Sequence, residues 1–249
     1  MKTKAIVIIC KDIEPEILKF YSQFKSKNYD IIFISPQKNK LINKPDGIIF
    51  LEDEVFISKK SFLNKAKIRP FWYYQQFLKY QVVLKLNYDQ IHIIDGDSYL
   101  NPILFFNHNP RYTDLKINIG YRKGLKSFKL NDTKRNFITN EMSFKKDELK
   151  KMISLFGFNE KNYIEKILEN ISDKNWFSEY QTYALYKCQY LKMKADLIKV
   201  FRRKDLIFNP LKSRFGKHYM LVSYEHSHKK DLIRVIVANI YYLIGKNLG

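Results

Sequence analysis

The stretch Ile91-His92-Ile93-Ile94-Asp95-Gly96-Asp97-Ser98 decides the reading of this chain. A short apolar run ends in two carboxylates one residue apart. The run has the length and β-branched character of a buried strand, so the acidic pair falls at its C-terminal tip. Open α/β sheets bind ligands at that edge. An Asp-x-Asp there can hold a divalent metal against a diphosphate, because Mg²⁺ or Mn²⁺ takes one or two carboxylates and completes its shell with phosphate oxygen and water. The plainer alternative is an acidic turn that caps the next element.

Working outward, the first half alternates strand and helix. Ala5–Cys10 reads as a strand, Glu14–Lys27 as a helix opened by Pro15, and Ile31–Ser35 as a strand closed by Pro36. Asp46-Gly47 marks a turn before the strand Ile48–Leu51. Lys65 to Leu86 reads mostly as helix, with Pro70 at a kink or a fresh start. Tyr99-Leu100-Asn101-Pro102 reads as a turn out of the sheet. This alternation predicts an α/β fold with a mostly parallel central sheet. No Gly-x-Gly-x-x-Gly follows the first strand, which argues against the usual dinucleotide site.

The second half is less regular. Ile117–Tyr121 and Asn136–Phe144 read as strands, Lys145–Phe156, Tyr163–Ile171 and Trp176–Tyr190 as helices, the last opened by Ser178 or Asn175. Met220–His226 reads as a late strand. Asp231 to Leu248 is an amphipathic helix candidate, with Ile233, Ile236, Val237, Ile240, Leu243 and Ile244 on one face. Its apolar part is too short to span a bilayer, but suits a membrane interface or a docked terminal helix. The expected organisation is one domain over residues 1–228 and a basic C-terminal helix over 229–249.

The 249 residues suffice for one α/β domain with a full core. Formal net charge is +20, a field that attracts nucleic acid, an anionic membrane surface or an anionic substrate. Cys10 and Cys188 have no metal-ligand spacing and read as reduced thiols of a cytosolic protein. The first apolar run is too short for a signal sequence.

A second constellation is Arg69-Pro70-Phe71-Trp72-Tyr73-Tyr74-Gln75-Gln76-Phe77-Leu78-Lys79. On a helix Trp72, Gln75, Gln76 and Lys79 share an arc of about 100°. Phe71, Tyr74, Leu78 and Val82 supply the opposite, packing face. The polar face turns either to solvent or to a nucleotide, with Lys79 near phosphate.

Together, Trp-x-x-Gln-Gln-x-x-Lys on a helix, the strand ending in Asp-Gly-Asp-Ser, and Phe177-Ser178-Glu179-Tyr180-x-x-Tyr183 resemble bacterial GT-A glycosyltransferases of a poorly characterised group encoded with capsule and O-antigen genes. The resemblance spans about residues 4 to 228. It implies a single Rossmann-like GT-A domain that moves a sugar from a nucleoside diphosphate donor, UDP by preference, to a saccharide acceptor in surface polysaccharide or lipopolysaccharide biosynthesis. It implies Mn²⁺ or Mg²⁺ on Asp97, with Asp95 at the metal shell or the ribose and a late His, His226 before His228, completing the ligand set. Cys10, Gln75, Gln76, Lys79 and Gly96 belong to the expected donor site, Gly96 giving the nucleotide close approach to the backbone. Glu179 is the expected base of an inverting transfer, because an acceptor hydroxyl needs its proton removed. If the enzyme is retaining, Glu179 holds the sugar instead.

Asn140 and Glu141 are candidates to line the acceptor cleft, or belong to an ordinary strand. Arg202, Arg203, Lys204, Lys212, Arg214 and Lys217 suit a leaving diphosphate, anionic lipid or plain solvent. The expected location is the cytoplasm, peripheral on the inner membrane face, near a lipid-linked acceptor. The rival outside enzymology is a basic nucleic-acid-binding protein; no motif for one is present, and the acidic pair would repel phosphate.

Overall fold

The computed structural model of the chain describes residues 2–36, 44–198, 200–203 and 221–224. In chain order the strands and α-helices are β1 (Lys4–Ile9), α1 (Pro15–Ser22), β2 (Asp30–Ile34), β3 (Ile48–Leu51), α2 (Lys59–Lys65), α3 (Pro70–Lys85), β4 (Gln90–Asp95) and β5 (Ser98–Leu100). Then follow β6 (Arg111–Tyr112), α4 (Ile119–Leu125), β7 (Glu141–Lys145), α5 (Lys146–Leu155), α6 (Tyr163–Asn170), α7 (Glu179–Gln189), β8 (Asp196–Leu197), β9 (Val200–Arg203) and β10 (Leu221–Tyr224).

Five strands form the central sheet in the order β3-β2-β1-β4-β7. All its pairs are parallel except β4 with β7. Both faces of β1 are buried, as a parallel strand covered by helices requires. Ala5, Val7 and Ile9 join Ile91, Ile93 and the apolar sides of α3, α5 and α7 in one core. Ile6 and Ile8 face Tyr21 of α1, Phe33, Ile94 and Leu100 in the other. Each fully buried aliphatic side chain contributes ~1.5–3 kcal/mol. A three-stranded sheet, β5-β10-β9, and a pair, β6-β8, lie beside this frame.

Several sequence expectations are corrected by local chemistry. Helix α1 ends at Ser22, short of Lys27, where the Ser22 hydroxyl takes the Leu18 carbonyl at 2.6 Å. Pro70 is a fresh start: Ser58 caps the separate α2, and Arg69, at φ 43°, turns the chain into α3. Phe71 leaves the packing face and is 64% exposed, while Tyr74, Leu78 and Val82 are buried. Residues Ile117–Tyr121 are not a strand, because Asn118 caps the start of α4 by accepting from Gly120 N at 2.8 Å. Tyr99 and Leu100 are not a turn but part of β5, antiparallel to β10. The expected strand from Asn136 begins only at Glu141, since Asn140 sits at φ 60° and breaks the extended run. His226, His228, the basic residues Lys204, Lys212, Arg214 and Lys217, and the segment expected to form the tail helix lie outside the described residues. Among the described residues, no helix is long and apolar enough to cross a membrane.

Candidate functional site

The chain leaves β1 toward β2 on one side, whereas β4 pairs on the other. The strand order therefore reverses between β1 and β4, and a crevice opens at their C-terminal tips. That crevice is a cleft of about 430 Å³ lined by Ile9, Cys10, Lys11, Asp12, Glu14, Gln75, Lys79, Asp95, Gly96 and Asp97. A hollow of about 590 Å³ at Lys2, Thr3, Lys4, Lys27 and Asn28 has no acidic side chain in its wall.

Gly96 closes the tip of β4 onto β1. Its N–H donates to Ile9 O at 2.8 Å. A Cβ there would stand 2.1 Å from Cys10 Cβ and 2.7 Å from Cys10 Cα. The lack of a side chain thus answers to a protein neighbour. Cys10 itself lines the cleft as a neutral thiol, pushed up to about 12 by burial and by Asp12 and Glu14.

The two aspartates differ in their surroundings. Asp95 is held on three sides: its N–H donates to Asn140 O at 2.9 Å, and its Oδ1 lies 2.6 Å from Lys79 Nζ and accepts from Tyr180 OH at 2.9 Å. Asp97 faces the same cleft, its Oδ1 accepting from Ser98 Oγ at 3.1 Å.

Lys79 ties this edge to α7. Its ammonium lies 2.6 Å from Glu179 Oε1 as well as from Asp95, and 4.1 Å from the centre of the Tyr180 ring. Burial would lower the Lys79 pKa, but the two carboxylates outweigh it and raise it, so the side chain stays charged. Glu179 is 2% exposed. Its pKa is raised, by burial first and by Asp95, against the pull of Lys79. One cation shared between two carboxylates leaves the deeper one undercompensated.

Glu179 is fixed by its backbone. Ser178 caps α7, Glu179 N donates to Gln76 Oε1 at 3.1 Å, and Glu179 O accepts from Tyr80 OH at 2.9 Å. Gln76 and Glu179 therefore stand behind the cleft wall, whereas Gln75 and Lys79 form it. The polar face of α3 turns to the cleft in part only.

Of the two readings of Glu141, a lining of the acceptor cleft or part of an ordinary strand, the structure gives the strand: Glu141 opens β7. It is 1% exposed, chelated by Arg111 and 3.2 Å from His92 Nε2 beneath β4. Phe106 N donates to His92 Nδ1, so Nε2 carries the proton toward Glu141. Sequence reading missed Lys11, Asp12 and Glu14. Their signal was position: they follow the tip of β1, the neighbour of the strand that carries the acidic pair.

Among the described residues, no three or more His, Cys, Asp or Glu side chains converge as a metal cage. The cleft does suit a hard divalent cation, which one or two carboxylates hold when substrate phosphate supplies further oxygens. Asp97 fits that part, in a cleft whose wall also carries Asp12 and Glu14.

No protein-family model and no curated protein matches the chain. Among solved structures it is similar to the galactosyltransferase LgtC in complex with donor and acceptor sugar analogues, at 12% identity and TM-score 0.46, covering 97% of this chain and 95% of that one. The active-site mutant Q189E of LgtC gives 11% identity and TM-score 0.48 over the same shares. Mouse xyloside xylosyltransferase 1, apo form, gives 9% identity and TM-score 0.45, covering 92% of this chain and 100% of that one.

Proposed function

We propose that this chain is a metal-dependent glycosyltransferase of the GT-A type, moving a sugar from a nucleoside diphosphate donor, UDP by preference, to a saccharide acceptor. The observation that carries the reading is one cleft, at the switch point of a parallel sheet, that brings together a half-buried Asp97, a pinned Asp95 and the cationic Lys79. Such a cleft takes a diphosphate and a divalent cation together; carboxylates alone would repel the phosphate.

In this reading Asp97 holds Mn²⁺ or Mg²⁺ directly, and His226 is the proposed later ligand. The bound cation supplies charge to offset that developing on the leaving diphosphate. Asp95, fixed by Lys79 and Tyr180, orients the ribose or the metal's water. Gln75 contacts the donor from α3.

Lys79 turns toward the incoming diphosphate and loosens its hold on Glu179. Glu179, already raised in pKa, then takes the proton of the acceptor hydroxyl, and the transfer inverts. The depth of Glu179 favours a second reading, in which it only positions Lys79 and the transfer retains configuration. The anomeric configuration of the product, read by NMR, separates the two. The basic composition and the apolar residues spaced along the tail sequence support a place on the inner membrane face, with a lipid-linked acceptor of surface polysaccharide.

The test is thermal denaturation of the full chain with UDP, GDP, CDP and ADP, with and without Mn²⁺, beside Asp97→Ala. Stabilisation by a nucleotide that needs Mn²⁺ and is lost in the variant supports the reading; a hundredfold excess over Kd gives about 3 kcal/mol. No response to any nucleotide, with Asp97→Ala melting like wild type, defeats it.

A further inference from the structure

The N-terminal turn of α3 carries a second group of side chains on the face that leads to the cleft. Trp72 lies on the same helical arc as Gln75 and Lys79, about 10 Å from Lys79 by helical rise. Around it stand Tyr121 of α4, with ring centroids 6.0 Å apart, and Trp176, whose ring centroid is 5.3 Å from that of Tyr121. All three rings are half-buried.

This group is rigid. Trp176 N donates to Gly120 O at 2.9 Å, and α4 closes on Trp176 without space for side chains. A Cβ on Gly120 would meet the indole at 2.6 Å, and one on Gly124 would meet the Trp176 carbonyl oxygen at 2.1 Å.

Arg69 completes it. Its guanidinium lies 4.2 Å from the centre of the Trp72 ring and 5.3 Å from that of Trp176. Arg69 is exposed, and no carboxylate among the described residues pairs with it. Its backbone is left-handed, at φ 43° and ψ 51°, a strained choice for a side chain of this size. Stacking engages the flat face of the guanidinium and leaves in-plane N–H donors for a planar anion.

We propose that Arg69, Trp72, Tyr121 and Trp176 form the subsite that binds an acidic saccharide acceptor, the rings taking the apolar face of a pyranose and Arg69 its carboxylate. The chemistry follows from the parts. Rigid, half-buried aromatic rings offer apolar area at little entropic cost, and an unpaired guanidinium fork recognises a carboxylate. The arc of α3 leads from this platform past Gln75 to Lys79, and Trp176 precedes Glu179 by one helical cap. A uronate-bearing oligosaccharide on the platform would point its next sugar at the cleft. This inference rests on the glycosyltransferase reading for its role, but its binding test does not.

The chain has two tryptophans, and both belong to the platform, so intrinsic fluorescence reports on it directly. The experiment titrates the full chain with a glucuronate-terminated disaccharide and with its neutral glucose counterpart, for wild type, Arg69→Gly and Arg69→Lys. Glycine suits the left-handed backbone, so the first variant keeps the fold; lysine keeps the charge and loses the fork. The expected result is saturable quenching by the acidic disaccharide, weaker by about tenfold or more in both variants, with the UDP and Mn²⁺ thermal response unchanged. No quenching in wild type, equal affinity for the neutral sugar, or an Arg69→Gly titration like wild type overturns the proposal. Acidic-sugar binding without any nucleotide response would keep this subsite and defeat the donor reading instead.

Discussion

Lys79 Nζ stands 2.6 Å from Asp95 Oδ1, across the gap between α3 and the tip of β4. The same nitrogen meets Glu179 at 2.6 Å, and Lys79 and Glu179 side chains are 7% and 3% exposed. Lys79→Met leaves two carboxylates without their cation. It should destabilise the chain by about 3–5 kcal/mol, read by urea denaturation. Adding Glu179→Gln should recover part of the loss; a double variant no more stable than Lys79→Met would show that the pairing is not the cause.

Gly96→Ala should cost about 1–3 kcal/mol, the usual range for overpacking a filled site, because the new methyl meets Cys10 backbone as well as side chain. The tip of β4 has to move, so the nucleotide-dependent thermal shift should vanish along with the stability. A variant that melts and responds like wild type would mean that β1 and β4 can part without consequence.

Gln76→Leu removes the acceptor of Glu179 N, a buried amide. The expected cost is about 1–3 kcal/mol, measured by thermal and urea unfolding. Because Gln76 stands behind the cleft wall, the variant should still bind nucleotide at temperatures where it is folded. Loss of nucleotide binding in a folded Gln76→Leu protein would place the amide in the donor site after all.

Acid should unfold the chain partly through Glu141. Burial acts to raise its pKa, but Arg111 and His92 outweigh it and hold it down at about 2, from an ordinary 4.5. A folded value below the unfolded one means that the unfolded chain binds more protons between them, so stability falls as pH falls. The contribution, on the order of 3 kcal/mol, is complete above the ordinary value and is lost as pH drops toward about 2. Urea midpoints measured down this range should fall less steeply for Glu141→Gln. Equal slopes would assign the acid sensitivity to other groups.

What the sequence revealed depended on locality. β3 is bounded as its turn signals predict, β4 and the acidic pair sit where the apolar run ends, and Ser178 caps α7. Each is encoded within a few neighbouring residues. The sharing of Lys79 by Asp95 and Glu179 joins positions 100 residues apart, and no local pattern records it. Asn118 is the instructive miss: Ile117–Tyr121 read as a strand, and one capping side chain selected a helix. Glu141 lies in a strand, the plainer of its two sequence readings, but its burial against Arg111 was not legible, since a buried ion pair leaves the same alternation in sequence as an exposed polar edge.

The strand order also sets a timetable for synthesis. Ala5 pairs with Asp30 on one side and with Ile91 on the other, while β7 closes the far edge of β4 only at Glu141–Lys145. A chain emerging from the ribosome can zip β1 to β2 and β3 early. It must then carry β1 with one edge of unpaired N–H and C=O groups open, beside the apolar side chains of Ala5–Ile9, until β4 has left the exit tunnel. Such an edge is a template for pairing with another nascent chain. The strand that ends in Asp95 is thus also the one that shields β1, so pauses or truncations before it should yield aggregates rather than soluble fragments.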